Sequence, residues 1–560
     1  MTATEEQRQR RWPWVAVSSF LLSWLYAIRV WCPDVWWHLA TGRWMVENGQ
    51  IPATDPFSFT AAGQPWIDVN WASDLVLYAA WAAGGAAGVV LLKVALAWGL
   101  LGALGTALRR LGVGAGAGIG TLVMVAFVLQ PRYSMARPST LGGVFLAVAV
   151  CLAVWTFTST RRWGAWLFVP LLLCWQQFHP SSIVGLAILG AVAAGFVLVR
   201  RWPEAAHAGG ALLVAAGAFV ATPQGRQILG HFLTYQEDSL IVARTMEWAP
   251  LRLSMPLVWV PWALFAAAVA GGILARKRPL VLGMALVGAA LGMRFTRHLY
   301  PGILLAAPAL GILAQTGVDW LQRKGWALGA AALGPAAGVA VVVANLAIVP
   351  LPVFHNNFGF DADLAAYPHD TLPVLRTLPP GRAMNDYGIG GYLIWERVPG
   401  GVFFDGRSGQ VFTEAHFRDL YRPVETSSAG LERVADQFEV VYGISKVKSH
   451  VGNQMMKSPE WVPVRHGQTS SLFVRRAEAH RVTDGGRALY PLLRWSAEAA
   501  WTRAHYDAVL ADPETSRQLR AEFLHALRED PDALVVRRTH AHLASSHPSW
   551  LEALERDLRR

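Results

Sequence analysis

A short run of residues directly after the first apolar segment combines several chemically useful groups. Asp34-Val-Trp-Trp-His38-Leu-Ala-Thr-Gly-Arg43 offers a carboxylate, an imidazole, a guanidinium and two indoles. Tryptophan is common at a membrane surface, but a carboxylate there is costly unless it has partners or a reaction to serve. We therefore expect Asp34 to have a catalytic role. The alternative is that Asp34 only caps a helix over residues 35–48.

Two further acids follow in the same loop. Asp68 and Asp74 flank Asn70 and Trp71, and both are candidates for a catalytic carboxylate. Each also has a structural interpretation, since Ser73 or Asp74 is a favoured cap for a helix that begins nearby. Asp55, in Thr-Asp-Pro, is typical of a turn.

The remaining polar groups of the first run are candidates for substrate binding. His38 lies one helical turn after Asp34, on the same helix face. We expect His38 and Arg43 to contact substrate. A structural, hydrogen-bonding role is the alternative for His38. No second histidine or acid stands at metal-ligand spacing on this helix, so no metal ligand is assigned here.

Cations also stand in the short turns between later apolar segments. Guanidinium groups are suited to bidentate capture of phosphate, and a membrane-surface site meets lipid phosphates. Anchoring to lipid headgroups is the alternative. The candidates for phosphate binding are Arg132, Arg137, His179, Arg294, Arg297 and His298.

Together these groups suit the transfer of a sugar from a lipid phosphate to a hydroxyl. A base takes the proton of the acceptor hydroxyl, and cations stabilise the leaving phosphate as its charge develops. We find no nucleophilic Ser or Cys arrangement and no nucleotide-binding signature.

The composition indicates a membrane protein that carries these groups. Of 560 residues, 53% are hydrophobic and only 16% are charged. The net charge of +11 comes largely from basic pairs between apolar segments, which indicates topology rather than nucleic-acid binding. If the N-terminus is cytoplasmic, the positive-inside rule puts all these pairs on one side. The first segment follows arginines and lacks a cleavage site, so we interpret it as a retained helix.

The apolar pattern predicts a mainly α fold, a polytopic membrane helix bundle of about eleven spans. Residues 71–83 are read instead as an interfacial helix that ends at Gly84-Gly85, since a span there would move Arg109-Arg110 outside. The predicted spans are 13–32, 87–108, 112–130, 139–158, 163–178, 182–199, 206–222, 256–275, 279–293, 299–316 and 326–350.

Three regions are predicted from these changes of pattern. Residues 1–350 form the transmembrane domain, with a first outer loop over 33–86. Residues 351–482 form a soluble α/β domain outside the cytoplasm, with strands near 401–404 and 440–444. Residues 483–560 form a helical C-terminal tail with breaks at Asp512-Pro513 and Asp530-Pro531.

Two details of the soluble domain bear on its role. It contains none of the three cysteines, Cys32, Cys151 and Cys174, which excludes an intrachain disulfide scaffold in that domain. Asp405-Gly-Arg407, after a predicted strand, is the segment of the soluble domain that most resembles a functional site. An internal salt bridge between Asp405 and Arg407 explains this segment equally well.

The first outer loop resembles the GT-C superfamily of integral membrane glycosyltransferases. Asp34-Val-Trp-Trp-His-Leu-Ala-Thr-Gly-Arg and Thr54-Asp-Pro-Phe-Ser are similar to a bacterial branch related to protein mannosyltransferases and the lipid A aminoarabinose transferase. The resemblance implies a polyprenyl-phosphate or polyprenyl-diphosphate sugar donor and gives Asp34 the role of base. Many relatives have two adjacent acids, whereas Val35 follows Asp34, so Asp68 or Asp74 would supply a second acid.

A weaker resemblance lies in the soluble domain. Asn385-Asp386-Tyr387-Gly388 is similar to the Trp-Trp-Asp-Tyr-Gly signature of the oligosaccharyltransferase catalytic subunit. Met384 and Asn385 replace the two tryptophans, so the acceptor-peptide role of that signature does not carry over.

The leading hypothesis is therefore a multi-pass bacterial inner-membrane glycosyltransferase whose soluble domain faces the periplasm. Its expected partners are a polyprenyl-phosphate sugar donor, membrane lipid and a glycan, lipid or protein acceptor, without nucleic acid. No cofactor is assigned, and a divalent cation stays open. The alternatives are a flippase for lipid-linked glycans, which would carry ionisable residues deep in its spans, and a non-catalytic membrane scaffold. The sugar, the acceptor and the stereochemistry stay open.

Overall fold

The computed structural model describes residues 12–234, 259–325 and 358–558. The chain divides into two compact units. The first unit comprises Met1–Ile51 and Ile67–Ala362, and the second comprises Pro52–Trp66 and Asp363–Arg560. The segment Pro52–Trp66 thus leaves the first outer loop to join the second unit, a grouping that the sequence did not predict.

The described part of the first unit is helical. Its helices, labelled α1 to α12 in chain order, are Trp12–Ser23, Pro33–Asn48, Trp71–Arg110, Ala115–Tyr133, Pro138–Thr158, Phe168–Phe178, Ser182–Leu198, Trp202–Ala221, Pro223–Thr234, Trp259–Leu274, Pro279–Arg294 and Leu299–Arg323. Short 3₁₀ turns at Trp24–Tyr26, Arg162–Leu167 and Thr296–His298 join some of them.

Five described helices are long and apolar enough to cross a membrane. They are Trp71–Arg110, Ala115–Tyr133, Pro138–Thr158, Trp202–Ala221 and Thr296–Arg323, the last counted with its 3₁₀ turn. Shorter apolar helices lie at Ser182–Leu198, Val260–Leu274 and Pro279–Arg294. The total of about eleven spans stays a prediction, and its last member, 326–350, lies outside the described residues.

The first apolar segment differs from the predicted span over 13–32. Its α-helix ends at Ser23, and Ile28 and Val30 form isolated bridges with Phe358 and Ala362. Backbone pairing therefore replaces helix in the last part of this segment. Arg29 supports the pairing through an ion pair with Asp361, with a distance of 2.7 Å from Nε to Oδ1.

The two predicted surface helices are present as helices. Helix α2 spans Pro33–Asn48, and α3 begins at Trp71. Non-helical backbone angles at Gly84 and Gly85 interrupt α3 and separate its first part from the apolar stretch that continues to Arg110.

Buried side chains of α1, α3 to α8 and α10 to α12 form the core of the bundle, among them Leu104, Leu122, Val150 and Leu305. The basic residues at the helix ends also serve the bundle structurally. Arg201 donates to the carbonyls of Phe157 and Ser159 at the end of α5, and Arg278 donates to the carbonyl of Leu111 after α3. These guanidinium groups satisfy carbonyls that a helix end leaves unpaired.

The second unit contains a four-stranded sheet. Its strands, labelled β1 to β4 in chain order, are Arg382–Asn385, Val440–Lys446, Trp461–His466 and Ser470–Arg475. Their order in the sheet is β1-β2-β4-β3. Strand β1 runs parallel to β2, and β4 is antiparallel to both β2 and β3. The strand predicted near 401–404 is wrong, because Val402 makes only an isolated bridge, to Ser58.

Helices surround the sheet and continue to the end of the described chain. The longer ones are Tyr387–Trp395, Ser428–Gln437, His450–Lys457, Ala499–Ala511, Pro513–Glu529, Leu534–Ser546 and Pro548–Leu558. The predicted breaks are confirmed, because Asp512 caps the helix that begins at Pro513 and that helix ends at Glu529.

Candidate active site

Asp34 and Arg137 form an ion pair between two helix ends of the first unit. The distance from Oδ2 of Asp34 to Nη2 of Arg137 is 2.9 Å, and the two side chains are 28% and 17% exposed. Arg137 also donates from Nε to Sγ of Cys32, at 2.8 Å. The N-cap of α2 is Cys32, with Pro33 next, so Asp34 lies inside the first turn. The alternative that Asp34 is the helix cap is therefore wrong.

Lys93 holds the two chain segments of this pair together. Its side chain is buried within α3 and donates to the carbonyls of Ile28 and Ser134, the latter at 2.9 Å. Ile28 precedes Asp34 closely in sequence, and Ser134 precedes Arg137. Lys93 was not among the predicted site residues, although its lone charge within an apolar segment is a signal for a functional position.

His38 and Asp74 form a second polar pair, between α2 and α3. Nδ1 of His38 lies 2.6 Å from Oδ1 of Asp74, and both side chains are almost completely buried. Gly42, one turn after His38, makes this approach possible, because a Cβ there would lie 2.3 Å from the carbonyl oxygen of Asp74. The cap proposed at Ser73 or Asp74 is wrong, since α3 begins at Trp71 with Asn70 as its N-cap.

Asp68 extends this pair. Its Oδ1 accepts the backbone N–H of Asn70 at 2.8 Å, and its carboxyl group lies within electrostatic range of that of Asp74. The three predicted catalytic acids thus form two groups: Asp34 is paired with a cation, and Asp68 lies near Asp74.

The predicted cations form a connected electrostatic cluster. His38 lies within electrostatic range of Arg137 and His179, and His179 lies within range of Arg297 and Arg132. The His298 ring in turn lies within range of Arg297 and Arg294. Arg294 also stacks over the ring of Phe295, with 5.1 Å from its Cζ to the ring centroid.

The two histidines at the centre of this cluster are neutral at pH 7. Burial, together with the charge of Arg137 and the proximity of a second titratable ring, His179, holds the pKa of His38 well below its ordinary value. Burial, Arg297 and Arg132 lower the pKa of His179 to about 3. Both rings therefore offer hydrogen bonds rather than charge.

The orientation of His179 is defined by its neighbour Ser181. Nδ1 of His179 accepts the backbone N–H of Ser181 at 3.1 Å and lies 2.8 Å from the Ser181 hydroxyl. A neutral imidazole with an accepting Nδ1 carries its proton on Nε2. Ser73 fixes this turn against α3 by donating to the carbonyl of Phe178 at 2.8 Å.

One predicted substrate-binding residue does not face this cluster. Arg43 follows Asp34 by nine residues, and at roughly 100° per residue it lies on the opposite face of α2.

The sequence signature at Asn385–Gly388 has structural partners in the second unit. Asn385 links β1 to the neighbouring segment, because its side chain donates to the carbonyl of Phe404 and accepts the N–H of Phe403, both at 2.8 Å. Asp386 accepts the Ser445 hydroxyl at 2.7 Å and the Lys446 N–H at 2.6 Å. These bonds hold the ends of β1 and β2 together.

Arg407 occupies a buried polar centre in the same unit. Its guanidinium lies 2.5 Å from Asp55 and 2.6 Å from Asp405, and all three side chains are fully buried. The rings of Phe57 and Trp66 cover it, at 5.1 and 4.9 Å from Cζ to the ring centroids. The internal salt bridge therefore explains the Asp405-Gly-Arg407 motif. Asp55 also forms the expected turn, by accepting the N–H groups of Phe57 and Ser58.

No group of three or more His, Cys, Asp or Glu residues that could hold a metal ion occurs within residues 12–234, 259–325 and 358–558. The site geometry described above therefore assigns no ligands to a divalent cation.

Solved structures match this fold, whereas no protein-family model and no curated protein matches the chain. The apo oligosaccharyltransferase of Archaeoglobus fulgidus matches at a TM-score of 0.55 and 11% identity, over 83% of this chain and 74% of that chain. AglB of the same organism, in complex with an inhibitory peptide and a dolichol-phosphate, matches at 0.55 and 10% identity, over 96% and 86%. ArnT from Cupriavidus metallidurans, bound to undecaprenyl phosphate, matches at 0.50 and 15% identity, over 82% and 97%.

The oligosaccharyltransferase and ArnT are membrane glycosyltransferases of the GT-C superfamily. At these identities the likeness concerns the fold. The GT-C resemblance expected from the first outer loop is thereby confirmed at the level of the fold.

Proposed function

We propose that this GT-C-fold chain transfers a sugar from a polyprenyl-phosphate-linked donor to an acceptor hydroxyl. The observation that carries the proposal is the Asp34–Arg137 ion pair, at 2.9 Å, beside the connected cluster of Arg and His side chains. A base and a phosphate-binding cation in contact are the two groups that such a transfer needs.

Asp34 is the base in this proposal. The O–H bond of the acceptor breaks and its proton moves to the Asp34 carboxylate, while the acceptor oxygen bonds to the anomeric carbon of the sugar. The bond between that carbon and the phosphate oxygen breaks, and its electron pair stays on the phosphate. One negative charge therefore moves from Asp34 to the phosphate.

Arg137 is suited to stabilise the negative charge that develops on the phosphate. In the resting site its Nη2 is paired with Asp34, and its Nε is held by Cys32. When Asp34 becomes neutral, Arg137 loses its anionic partner at the moment when the phosphate gains a charge. Arg137 then pairs with the phosphate instead of with Asp34. This new ion pair stabilises the transition state more than the ground state, which is the condition for a faster reaction.

The other members of the cluster hold the phosphate in place. Arg132 and Arg297 both lie within electrostatic range of His179. His179 carries its proton on Nε2. A neutral N–H donor between two cations binds a phosphate oxygen without adding charge. Arg294 and His298 continue the cluster beyond Arg297.

The structural neighbours support a lipid phosphate as the carrier of the sugar. One was solved with a dolichol-phosphate and the other with undecaprenyl phosphate. The positive-inside pattern supports a site on the periplasmic face of a bacterial inner membrane. The acceptor is a glycan, a lipid or a protein.

A donor panel tests the proposal. Purified protein is incubated with polyprenyl-phosphate sugars, each radiolabelled in the sugar, and with native membrane extract as acceptor. We expect one donor to give labelled acceptor together with an equal amount of released polyprenyl phosphate. Folded protein that releases no polyprenyl phosphate from any donor of the panel would contradict the proposal.

A further inference from the structure

A buried lysine of the first unit has two main-chain carbonyls as hydrogen-bond partners. The Lys93 side chain, on α3, is 1% exposed, and its Nζ donates to the carbonyls of Ile28 and Ser134, the latter at 2.9 Å. An apolar side chain at this position would avoid the cost of removing an amine from water. Apolar contacts are non-directional, however, whereas two hydrogen bonds from one nitrogen fix the separation of the groups that accept them. Lys93 therefore sets the distance between two segments of main chain.

The first of these segments leads from Ile28 to Asp34. The N–H of Val30 donates to the carbonyl of Asp361 at 3.0 Å. Cys32 is the N-cap of α2 and lies two residues before Asp34. Because pairing and the helix start hold the backbone between these points, a shift of Ile28 also shifts Asp34.

The second segment is a hydrogen-bonded turn that leads from Ser134 to Arg137. The N–H of Ser134 donates to the carbonyl of Gln130 at 3.0 Å, at the end of α4. The N–H of Arg137 donates to the carbonyl of Met135 at 2.9 Å, and Arg137 is the N-cap of α5. The position of the Ser134 carbonyl therefore determines where the Arg137 side chain begins.

The Asp34–Arg137 pair closes a ring of contacts that begins and ends at Lys93. Nη2 of Arg137 lies 2.9 Å from Oδ2 of Asp34, and Nε donates to Sγ of Cys32 at 2.8 Å. A planar guanidinium that is held at two of its nitrogens has a defined rotation. Each link of the ring is a hydrogen bond, an ion pair or a short segment of chain. A substitution at Lys93 therefore alters the pair without changing either of its members.

We propose that Lys93 is a positioning residue, which sets the distance and the orientation of Arg137 relative to Asp34 for the transfer step. This inference rests on the proposed function. Lys93 acts through the two members of the pair and not on the substrate. Displacement of a reacting group by about 1 Å can lower a rate about 10²-fold, so the loss of this spacer has a measurable effect.

A double-mutant cycle with Arg137→Gln tests whether Lys93 acts through the pair. Lys93→Met keeps most of the length and bulk of the side chain and removes its donor group. We expect kcat to fall about 10²-fold in the wild-type background, with little change in KM. In the Arg137→Gln background the same substitution should cause only a small further loss, because residues that act through one network are not additive.

Lys448→Met is the matched control, since Lys448 is an exposed lysine of the second unit. It should leave the rate unchanged in both backgrounds. Lys93→Gln is the second variant if Lys93→Met fails to fold. Its shorter side chain keeps two N–H donors, so we expect a partial loss with the same lack of additivity.

Reaction of Cys32 with a maleimide reports the same displacement without sugar transfer. The thiol of Cys32 is buried and accepts a hydrogen bond from Arg137, so it should react slowly in wild type. In Lys93→Met the two segments are no longer held together, and labelling of Cys32, located by mass spectrometry, should be faster. Labelling of the exposed Cys174 should not change.

The outcomes separate the two proposals. An equal kcat in Lys93→Met and wild type overturns the positioning role alone. Losses that multiply in the double variant, or an unchanged labelling rate of Cys32, show that Lys93 does not act through the pair and also overturn it. Absence of transfer by wild type from every donor overturns the proposed function. Faster labelling of Cys32 in Lys93→Met would then still support Lys93 as the spacer of the two segments.

Discussion

Arg137 holds Asp34 through one nitrogen and Cys32 through another, at 2.9 Å from Nη2 and 2.8 Å from Nε. The guanidinium thus fixes the start of α2 against the start of α5, and it places a cation directly on the proposed base. Its two functions, orientation of Asp34 and capture of phosphate, can be separated by substitution.

Arg137→Lys and Arg137→Gln should both lower kcat. Loss of one preorganised donor typically lowers kcat about 10²–10³-fold, and we expect this for Arg137→Gln. Lysine keeps the charge but cannot contact Asp34 and Cys32 together, so Arg137→Lys should retain intermediate activity. The measurement is kcat and KM for sugar transfer. Arg528→Gln, an exposed arginine of the second unit, is the control, and equal losses in all three variants would contradict the assignment.

Gly42→Ala should separate α2 from α3. A Cβ at this position would lie 2.3 Å from the carbonyl oxygen of Asp74 and 2.6 Å from Cβ of Tyr78, so the helices must move apart and the His38–Asp74 bond must lengthen. We expect loss of transfer and a lower unfolding midpoint in detergent. Gly99→Ala is the matched control in α3, where no atom lies within 4 Å of an added Cβ. That substitution should stabilise the helix by up to about 1 kcal/mol. Full activity of Gly42→Ala would show that the close approach is not needed.

Asp55→Asn should destabilise the second unit. The Asp55–Arg407 contact is fully buried, and removal of one partner from a buried ion pair typically costs about 3–5 kcal/mol. Asparagine keeps only one of the two oxygens that accept the N–H groups of Phe57 and Ser58, so the change removes the charge and one acceptor of the turn together. The comparison is Asp419→Asn, which breaks an exposed ion pair with Arg418 and should leave the midpoint unchanged. Equal midpoints for the two variants would contradict a stabilising role for the buried pair.

The low pKa of His179 predicts a pH dependence of stability. Burial and the two arginines lower it to about 3 in the folded protein, whereas an unfolded histidine titrates near its ordinary pKa of about 6.5. The unfolded state therefore binds the extra proton first, and stability falls by about 1.4 kcal/mol per pH unit as pH drops from 6.5 toward 3. Denaturation of wild type and His179→Gln between pH 7 and pH 5 measures this. An identical slope in both proteins would contradict it.

Local sequence pattern was sufficient for much of the helical architecture, because apolar periodicity and Gly-Gly or Asp-Pro breaks are encoded over a few residues. It placed the surface helices near Asp34 and Asp74 and the break at Gly84-Gly85. It made the first span too long, because the pairing of Ile28 and Val30 with Phe358 and Ala362 has no local signal.

Site residues were predictable singly, but their pairing was not. Asp34 and Arg137 were both candidates, yet nothing in the sequence indicated that they touch. Lys93 and Cys32 were missed because their contribution depends on carbonyls and a guanidinium supplied by other segments. The loop around Asp55 was assigned to the membrane region because its partner Arg407 lies 352 residues further along the chain.

The most direct test of the account is single-turnover sugar transfer by Asp34→Asn. Wild type and variant are loaded with the active donor and compared with Asp484→Asn, an exposed aspartate of the second unit. The account predicts a rate about 10²–10⁴-fold below wild type for Asp34→Asn, with donor binding and unfolding midpoint retained, and no change for the control. A wild-type rate in folded Asp34→Asn would contradict the assignment of the base.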